Sequence, residues 1–310
     1  GFNFNYYTNR SEDQIIPIQL PATIGYRAQF VNAATMTNKG IEMLLKVVPA
    51  VNKNFKWTLS VNYSKNTNNV EKLYGGLSQI SIGNGTTFVG ADLVAAIDKP
   101  WGQLLVTSFM RDPEGHVVCD PNTGLPITDP NDQLAGTVLP DYTMGINNAF
   151  TYKSWSFSFT FDIKQGGLLY SRTRSTMIFT GTDPATTYNN REPFIIPNSV
   201  VLNPDGSYGE NTVLADPFTY FANSGAALTN VHGENLLDGS YVKLRELNIS
   251  YVLPKRWMSK TPFGEITLTA YGRNLWISTP EENIYLDPEV SSFGTGNVQG
   301  YDYGALPSVR

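Results

Sequence analysis

The chain is poor in the residues that staple or chemically arm a protein. Among its 310 residues there is one cysteine, Cys119, and two histidines, His116 and His232. A lone thiol excludes an intrachain disulfide framework and any multi-cysteine metal site. Neither histidine has a His, Asp or Glu partner at a zinc-type spacing, so no metal is expected. No apolar run approaches the eighteen or so residues of a transmembrane helix, which excludes helical spanning and leaves a β-barrel open. Charged residues make up 16% of the chain and the net charge is -5, so neither a nucleic-acid groove nor a basic membrane-surface patch is expected. A starting Met and a signal pattern are missing as well. The opening GFNFNYY is already strand-like, and the chain is expected to be a piece of a longer protein or a processed one.

What the chain has in quantity is turn formers and aromatics: 27 Gly, 17 Tyr and 16 Phe, a mixture that favours strands over helices. Strand character is expected at 2–8, 40–48, 55–64, 142–152, 155–163, 241–253 and 264–277. The clearest alternation puts Phe55, Trp57, Leu59, Val61 and Tyr63 on one face and Lys56, Thr58, Ser60, Asn62 and Ser64 on the other. A second run sets Trp155, Phe157, Phe159, Phe161 and Ile163 against Ser156, Ser158, Thr160, Asp162 and Lys164. In the third, Leu247, Ile249 and Tyr251 oppose Glu246, Asn248 and Ser250. Several of these runs are about the ten residues that a tilted strand needs to cross a hydrocarbon layer. No fixed internal repeat is evident, which argues against a propeller or solenoid.

The connections alternate in length. Short turns are expected at 49–54, 153–154 and 254–263, and long polar loops at about 9–37, 65–140, 165–239 and 278–307. Inside the second loop a hairpin is expected, with 103–111 and 116–119 flanking the turn Asp112-Pro113-Glu114-Gly115. Long loops on one side and short turns on the other are the habit of an outer-membrane barrel. Aromatics at strand ends (Tyr63, Tyr152, Trp155, Tyr251, Trp257, Trp276) suit a headgroup girdle.

No catalytic centre is legible. Glu281 and Glu282 are adjacent, whereas glycosidase work needs two carboxylates facing across a substrate. Residues 120–132 offer oxygen ligands without EF-hand spacing, and Gly83, Gly85 and Gly90 miss the dinucleotide fingerprint. No enzyme activity and no cofactor are expected. Asp162, Lys164 and Glu246 lie in spanning strands and should face a wet lumen, because facing lipid near the midplane would be costly. Loop aromatics Tyr74, Trp101, Tyr188, Tyr220 and Phe221 are the candidates to contact a ligand or a lid.

A series of short segments then carries a family likeness: NKGIE (38–42), FKW (55–57) with NYSKN (62–66), KPWG (99–102), RD (111–112) with Gly115, LPDY (139–142), Gly166-Gly167, GSYVKLR (239–245), YVLP (251–254), GRNL (272–275) and DPE (287–289). In this order, over nearly the whole chain, they resemble the C-terminal barrel portion of SusC-like (SusC/RagA-type) TonB-dependent outer-membrane transporters. The resemblance implies an all-β transmembrane antiparallel barrel of 22 strands, of which residues 1–310 would be the C-terminal third, without the plug domain. It implies location in the Gram-negative outer membrane, in contact with its lipid and with the rest of the same barrel and plug. It also implies a SusD-like surface lipoprotein as lid and TonB–ExbB–ExbD as energy source, reached through N-terminal parts this chain does not contain. The cargo would be an oligomeric nutrient, glycan or peptide. The family's closing strand should begin near Pro307-Ser308. The rival readings are a secreted glycan-binding β-sandwich or adhesin, and a passive porin-like channel.

Overall fold

The computed structural model describes residues 1–19, 28–82, 91–222, 227–228, 230–259, 261–292 and 299–304. Its frame is one seven-stranded sheet in which every neighbour is antiparallel and spatial order follows chain order. The strands are β1 (Phe2–Gln19), β2 (Ala28–Val51), β3 (Phe55–Leu73), β4 (Tyr142–Tyr152), β5 (Trp155–Gln165), β6 (Tyr241–Val252) and β7 (Thr267–Ser278). Along one rim the connections are tight. Asn52 closes the first turn by accepting from the backbone N–H of Asn54 (3.0 Å) and Phe55 (2.9 Å). Lys153, at φ +54°, makes the two-residue turn between β4 and β5. On the other rim the chain leaves the sheet for long excursions after β3, β5 and β7.

Cross-strand register sorts the side chains onto two faces. Trp57, Phe150, Phe157 and Ile249 share one face through the pairs Trp57↔Phe150, Phe157↔Phe150 and Phe157↔Ile249. Trp57 stacks on Phe150 at 5.8 Å and Phe150 on Phe157 at 6.0 Å, and Phe159 meets Phe161 edge-on at 5.7 Å. The first two contacts are cross-strand, the local unit of sheet stabilisation, and the third runs along β5. Asn148 is the polar exception on this face, and its Oδ1 accepts from the Trp57 indole N–H at 3.0 Å. The opposite face is lined by Asn62, Gly145, Asn147, Thr160, Asp162 and Asn248. Gly40 sits on this polar face under the Tyr7 ring, which a Cβ would strike at 2.3 Å.

The mid-sheet residues of β4 to β7 are half-buried or exposed on both faces, whereas the buried hydrophobic residues gather in the loops. A soluble sandwich would bury one face against a second sheet. A sheet aromatic on one side and polar on the other is the wall of a transmembrane barrel, with lipid outside and a wet lumen inside. Aromatics on the apolar face fall in two bands: Phe55, Tyr152, Trp155 and Tyr251 near the tight turns, Tyr63, Tyr142 and Trp276 towards the loops. Phe55 and Tyr63 are eight residues apart, about 27 Å along the strand, which matches an apolar band of about 25 Å once tilt is allowed for.

Two expectations are corrected here. Residues 9–37, expected as a loop, are largely strand: β1 and β2 stay paired as far as Gln19↔Ala28, with bulges near Ser11 and Gln14. Likewise β3 runs on to Leu73, past the expected end at 64. Outside the apolar band a strand has water on both faces, so it keeps its backbone ladder while losing the alternation by which strands are recognised. The other correction concerns 65–140 and 165–239, expected as irregular. They carry three small sheets, the helix Arg172–Phe179 and two apolar cores. One core joins Val31, Ala34, Val70 and Leu73 of the projecting strands to Leu93, Leu104, Tyr170 and Tyr301. The turn at 112–115 forms as expected, with Gly115 N–H donating to the Asp112 carbonyl at 3.0 Å. Its expected arms do not form one hairpin beyond the bridge Arg111↔Val117. Instead Gln103–Val106 pairs with Ala91–Ala96 and Gln133–Thr137, and Val117–Cys119 lies parallel to Ser199–Leu202. Local turn chemistry fixed the turn, and distant strands supplied the partners.

In the full-length protein, Phe159→Arg, on the lipid face, should cost about 2–4 kcal/mol and block assembly, while Ser158→Arg, facing the lumen, should assemble. Heat-modifiable migration of outer-membrane fractions in SDS gels reads the difference, and equal tolerance would reverse the two faces.

Candidate functional site

The densest chemistry lies on the lumen face where β5 and β6 approach the loop rim. A β-bulge creates it. Thr160 pairs with Glu246 and Phe161 with Leu244, so Arg245 is an extra residue on β6. The bulge allows Lys243, Arg245 and Glu246 all to avoid the lipid face despite their uneven spacing. The Lys243 side chain is only 2% exposed, yet its ammonium is fully used. It donates to Asp287 Oδ1 (2.6 Å) and Oδ2 (2.7 Å) and to Glu289 Oε2, and lies 4.7 Å from the Tyr241 ring centroid. Arg245 forks onto Glu289 (Nη2 to Oε1 2.7 Å, Nη1 to Oε2 2.8 Å) and also donates to Asp162 and, at 3.2 Å, to Asn274 Oδ1. Tyr241 OH donates to Glu289 Oε1 at 3.1 Å. Lys164, in register with Tyr241, lies in the field of Glu289 and Asp238. The paired charges offset one another and nearly every donor is met, which a half-buried polar network requires.

Glu289 comes from the loop after β7. Burial works against its charge, but the hydrogen bonds and charges of Arg245 and Lys243 prevail and hold its pKa at about 2, down from 4.5.

The sequence reading named Asp162, Lys164 and Glu246 as lumen charges. The first two fall in or beside this cluster. Glu246 lies outside it, accepting from Tyr271 OH at 2.8 Å and facing Arg273 at 3.7 Å. Lys243, Arg245, Asp287 and Glu289 were missed as site residues. Their signal was present in the YVKLR and DPE segments, two short motifs of complementary charge.

Of the five loop aromatics, three converge. Tyr188, Tyr220 and Phe221 line a cleft of about 390 Å³ with Phe194 and Leu228. Phe194 is the hub: Tyr188 meets it edge-on at 4.9 Å and Tyr220 at 5.6 Å. Phe221 is buried behind them, while half of Tyr188 is open to solvent. Trp101 is elsewhere, packed against the core formed by the projecting strands, with its backbone N–H donating to Asn68 Oδ1 at 2.8 Å. Tyr74 is exposed at the tip of β3 and belongs to neither group.

The remaining constellations resolve into structure. No acid at a zinc-type spacing was expected beside His116, but the turn brings Asp112 to its Nδ1 at 2.8 Å, with Glu114 close by. The same Asp112 accepts from the His116 backbone at 2.7 Å, so the carboxylate serves to close the turn. Cys119 is buried in the second loop core, and burial pushes its thiol pKa up, away from a reactive thiolate. Asp120 caps its own turn, accepting from the N–H of Asn122 and Thr123. Glu281 and Glu282 are exposed. Gly83, Gly85 and Gly90, and the expected closing strand at Pro307-Ser308, lie outside the described residues.

A two-faced antiparallel wall with folded loops on one rim defines the class, an outer-membrane-type β-barrel. No protein-family model matches the chain. Over 99% of its length the chain is 26% identical to TonB-dependent receptor P3 of Formosa agariphila, covering 31% of that protein. TonB-dependent receptor P26 of the same organism is 25% identical over the same share, again with 31% of it covered. TonB-dependent receptor SusC of Bacteroides thetaiotaomicron is 25% identical over 53% of the chain and 17% of its own length. Among solved structures, the RagAB peptide importer in its closed-closed state superposes with a TM-score of 0.69 at 17% identity, covering 99% of this chain and 32% of that one. The chain thus spans about a third of the curated relatives it matches over its full length. Its likeness to proteins named TonB-dependent receptors extends over 99% of the chain, and that to SusC over about half of it.

Replacing Asp287 and Glu289 by Asn and Gln together strands a buried ammonium and should cost about 3–5 kcal/mol. Lys243→Met, similar in volume, leaves carboxylates that can reach water and should cost less. Urea unfolding of the full-length barrel ranks the two. Because the Glu289 pKa is depressed when folded, its stabilisation is complete above about pH 4.5 and is lost as the pH falls towards 2. In Glu289→Gln that part of the acid dependence should vanish, so the wild-type and variant stability curves should approach each other below pH 4.5 and converge only near pH 2 and below.

Proposed function

We propose that this chain is the C-terminal wall segment, with its loops, of a TonB-dependent outer-membrane importer of oligomeric nutrients, glycans or peptides, working with a SusD-like surface lipoprotein. The observation that carries the reading is similarity along 99% of the chain to proteins named TonB-dependent receptors, joined to a wall whose loops all lie on one rim. The transported molecule would pass unaltered: the relatives are named TonB-dependent receptors, and among the described residues the wall charges pair with one another. Residues 1–310 would be one part of a single barrel domain, and energy from TonB, ExbB and ExbD would reach it through the plug and the earlier strands.

The long loops after β3 and β5 are the parts that would meet cargo and lid. They are folded around their own cores, so they can present a fixed surface at little entropic cost. The aromatic cleft around Phe194 is one feature on that surface. Tyr188, half-exposed on its lining, and Phe218, exposed on the same short helix as Tyr220 and Phe221, are the residues to test.

Uptake by cells carrying the full-length protein should stop when TonB is deleted, whereas a passive channel would keep conducting. Tyr188→Arg with Phe218→Arg should leave the barrel assembled and reduce lipoprotein co-purification several-fold. Undiminished co-purification would remove this surface from the lid contact.

A further inference from the structure

Residues 280–290 contain no regular secondary structure, yet they are gripped at three places by three different parts of the chain. At one end, Asp287 and Glu289 take the Lys243 ammonium and the Arg245 fork described above. In the middle, Leu286, 1% exposed, packs with Leu169 and Leu237 under Tyr285 and Val290. On the loop side, Tyr285 OH donates to Asp183 Oδ2 at 2.6 Å, and the Arg174 guanidinium lies 6.0 Å from the Tyr285 ring. Burial, with the Asp183 hydrogen bond, pushes the Tyr285 phenol up to about 12, so it remains a donor at neutral pH. The other oxygen of Asp183 accepts from Ala185 N–H at 2.8 Å and so starts the helical segment Pro184–Arg191, which carries Tyr188 into the aromatic cleft.

We infer that residues 280–290 are a strap tying the aromatic cleft to the inner face of the barrel wall, with Lys243 and Arg245 as its anchor. Those two are positioning residues for the cleft, although neither lines it. The path runs from the wall cations to Asp287 and Glu289, along two residues of backbone to Tyr285, and across one hydrogen bond to Asp183. The strap's own backbone bonds are local: Asn283 N–H to the Pro280 carbonyl (3.0 Å), Glu289 N–H to Asp287 Oδ1 (2.9 Å) and Val290 N–H to the Asp287 carbonyl (3.0 Å). Side-chain anchorage therefore decides whether these amides are protected. The inference holds whatever the cargo and whether or not uptake needs TonB. It requires only that the cluster faces the lumen.

Hydrogen–deuterium exchange on the full-length protein tests it, comparing peptides over 279–292 and 180–192 with wall peptides over 142–165. Arg245→Gln with Lys243→Met should speed exchange in both loop peptides by about tenfold or more, the scale of one lost charged hydrogen bond, and leave the wall peptides unchanged. Glu289→Gln alone, on the loop side, should show the same pattern at smaller amplitude, and it decides the matter if the double variant fails to assemble. Glu246→Gln, a neighbouring charge that the strap does not touch, should change neither peptide. Unchanged exchange over 279–292 would mean that Leu286 alone holds the segment and would overturn the anchor. Faster exchange there with 180–192 unchanged would overturn the tie to the cleft.

Discussion

A strand that crosses hydrocarbon has no water to take up an unpaired N–H or C=O, and each such group costs several kcal/mol. That demand governs this molecule. From β1 to β7 every strand finds its partner in the next, antiparallel and in chain order, even where no simple hairpin joins them: β3 ends at Leu73 and β4 begins only at Tyr142, with 68 residues of chain between them. The ladder between them closes regardless, from Phe55↔Tyr152 to Ser64↔Thr143. Loops of any length can be hung from the outer rim as long as the ladder below them is whole.

With the backbone satisfied, the side chains are left to deal with two solvents. On the lipid side, stacked aromatics do most of the packing, and the amide of Asn148, within the aromatic band, is answered by the Trp57 indole. On the lumen side the chain can keep charge, and it keeps it in pairs: Asp162 with Arg245, Lys243 with Asp287 and Glu289, Glu246 with Tyr271 and Arg273. Among the described residues, ordinary hydrophobic cores appear in the loops and the projecting strand ends, where water surrounds the protein on all sides.

How much of this was legible depended on which solvent a residue meets. Where a strand has lipid on one face and water on the other, as in β3 from Phe55 to Tyr63 and β5 from Trp155 to Ile163, alternation is strict and the faces could be read directly. Where both faces are wet, as in the upper halves of β1 and β2, the pairing is real but the sequence carries no pattern to betray it. The loop sheets were hidden for another reason, since Val117–Cys119 and Ser199–Leu202 pair across some eighty residues of chain. The charge cluster lay between these extremes. Asp162 and Lys164 stood out as charges on a spanning strand, but the partners of Lys243 and Arg245 arrive from beyond β7. No local pattern announces an encounter between residues more than forty positions apart.

The bulge on β6 has a consequence that reaches beyond geometry. Because side chains alternate with a period of two, straightening the strand by one position would turn Lys243 and Arg245 towards lipid and Val242 and Leu244 into the lumen. The extra residue therefore acts as a counter: it makes the spacing between the two cations, and not merely their presence, a condition for membrane insertion. A chain that miscounts here would be barred from the bilayer by the same two charges that, correctly placed, fasten its interior.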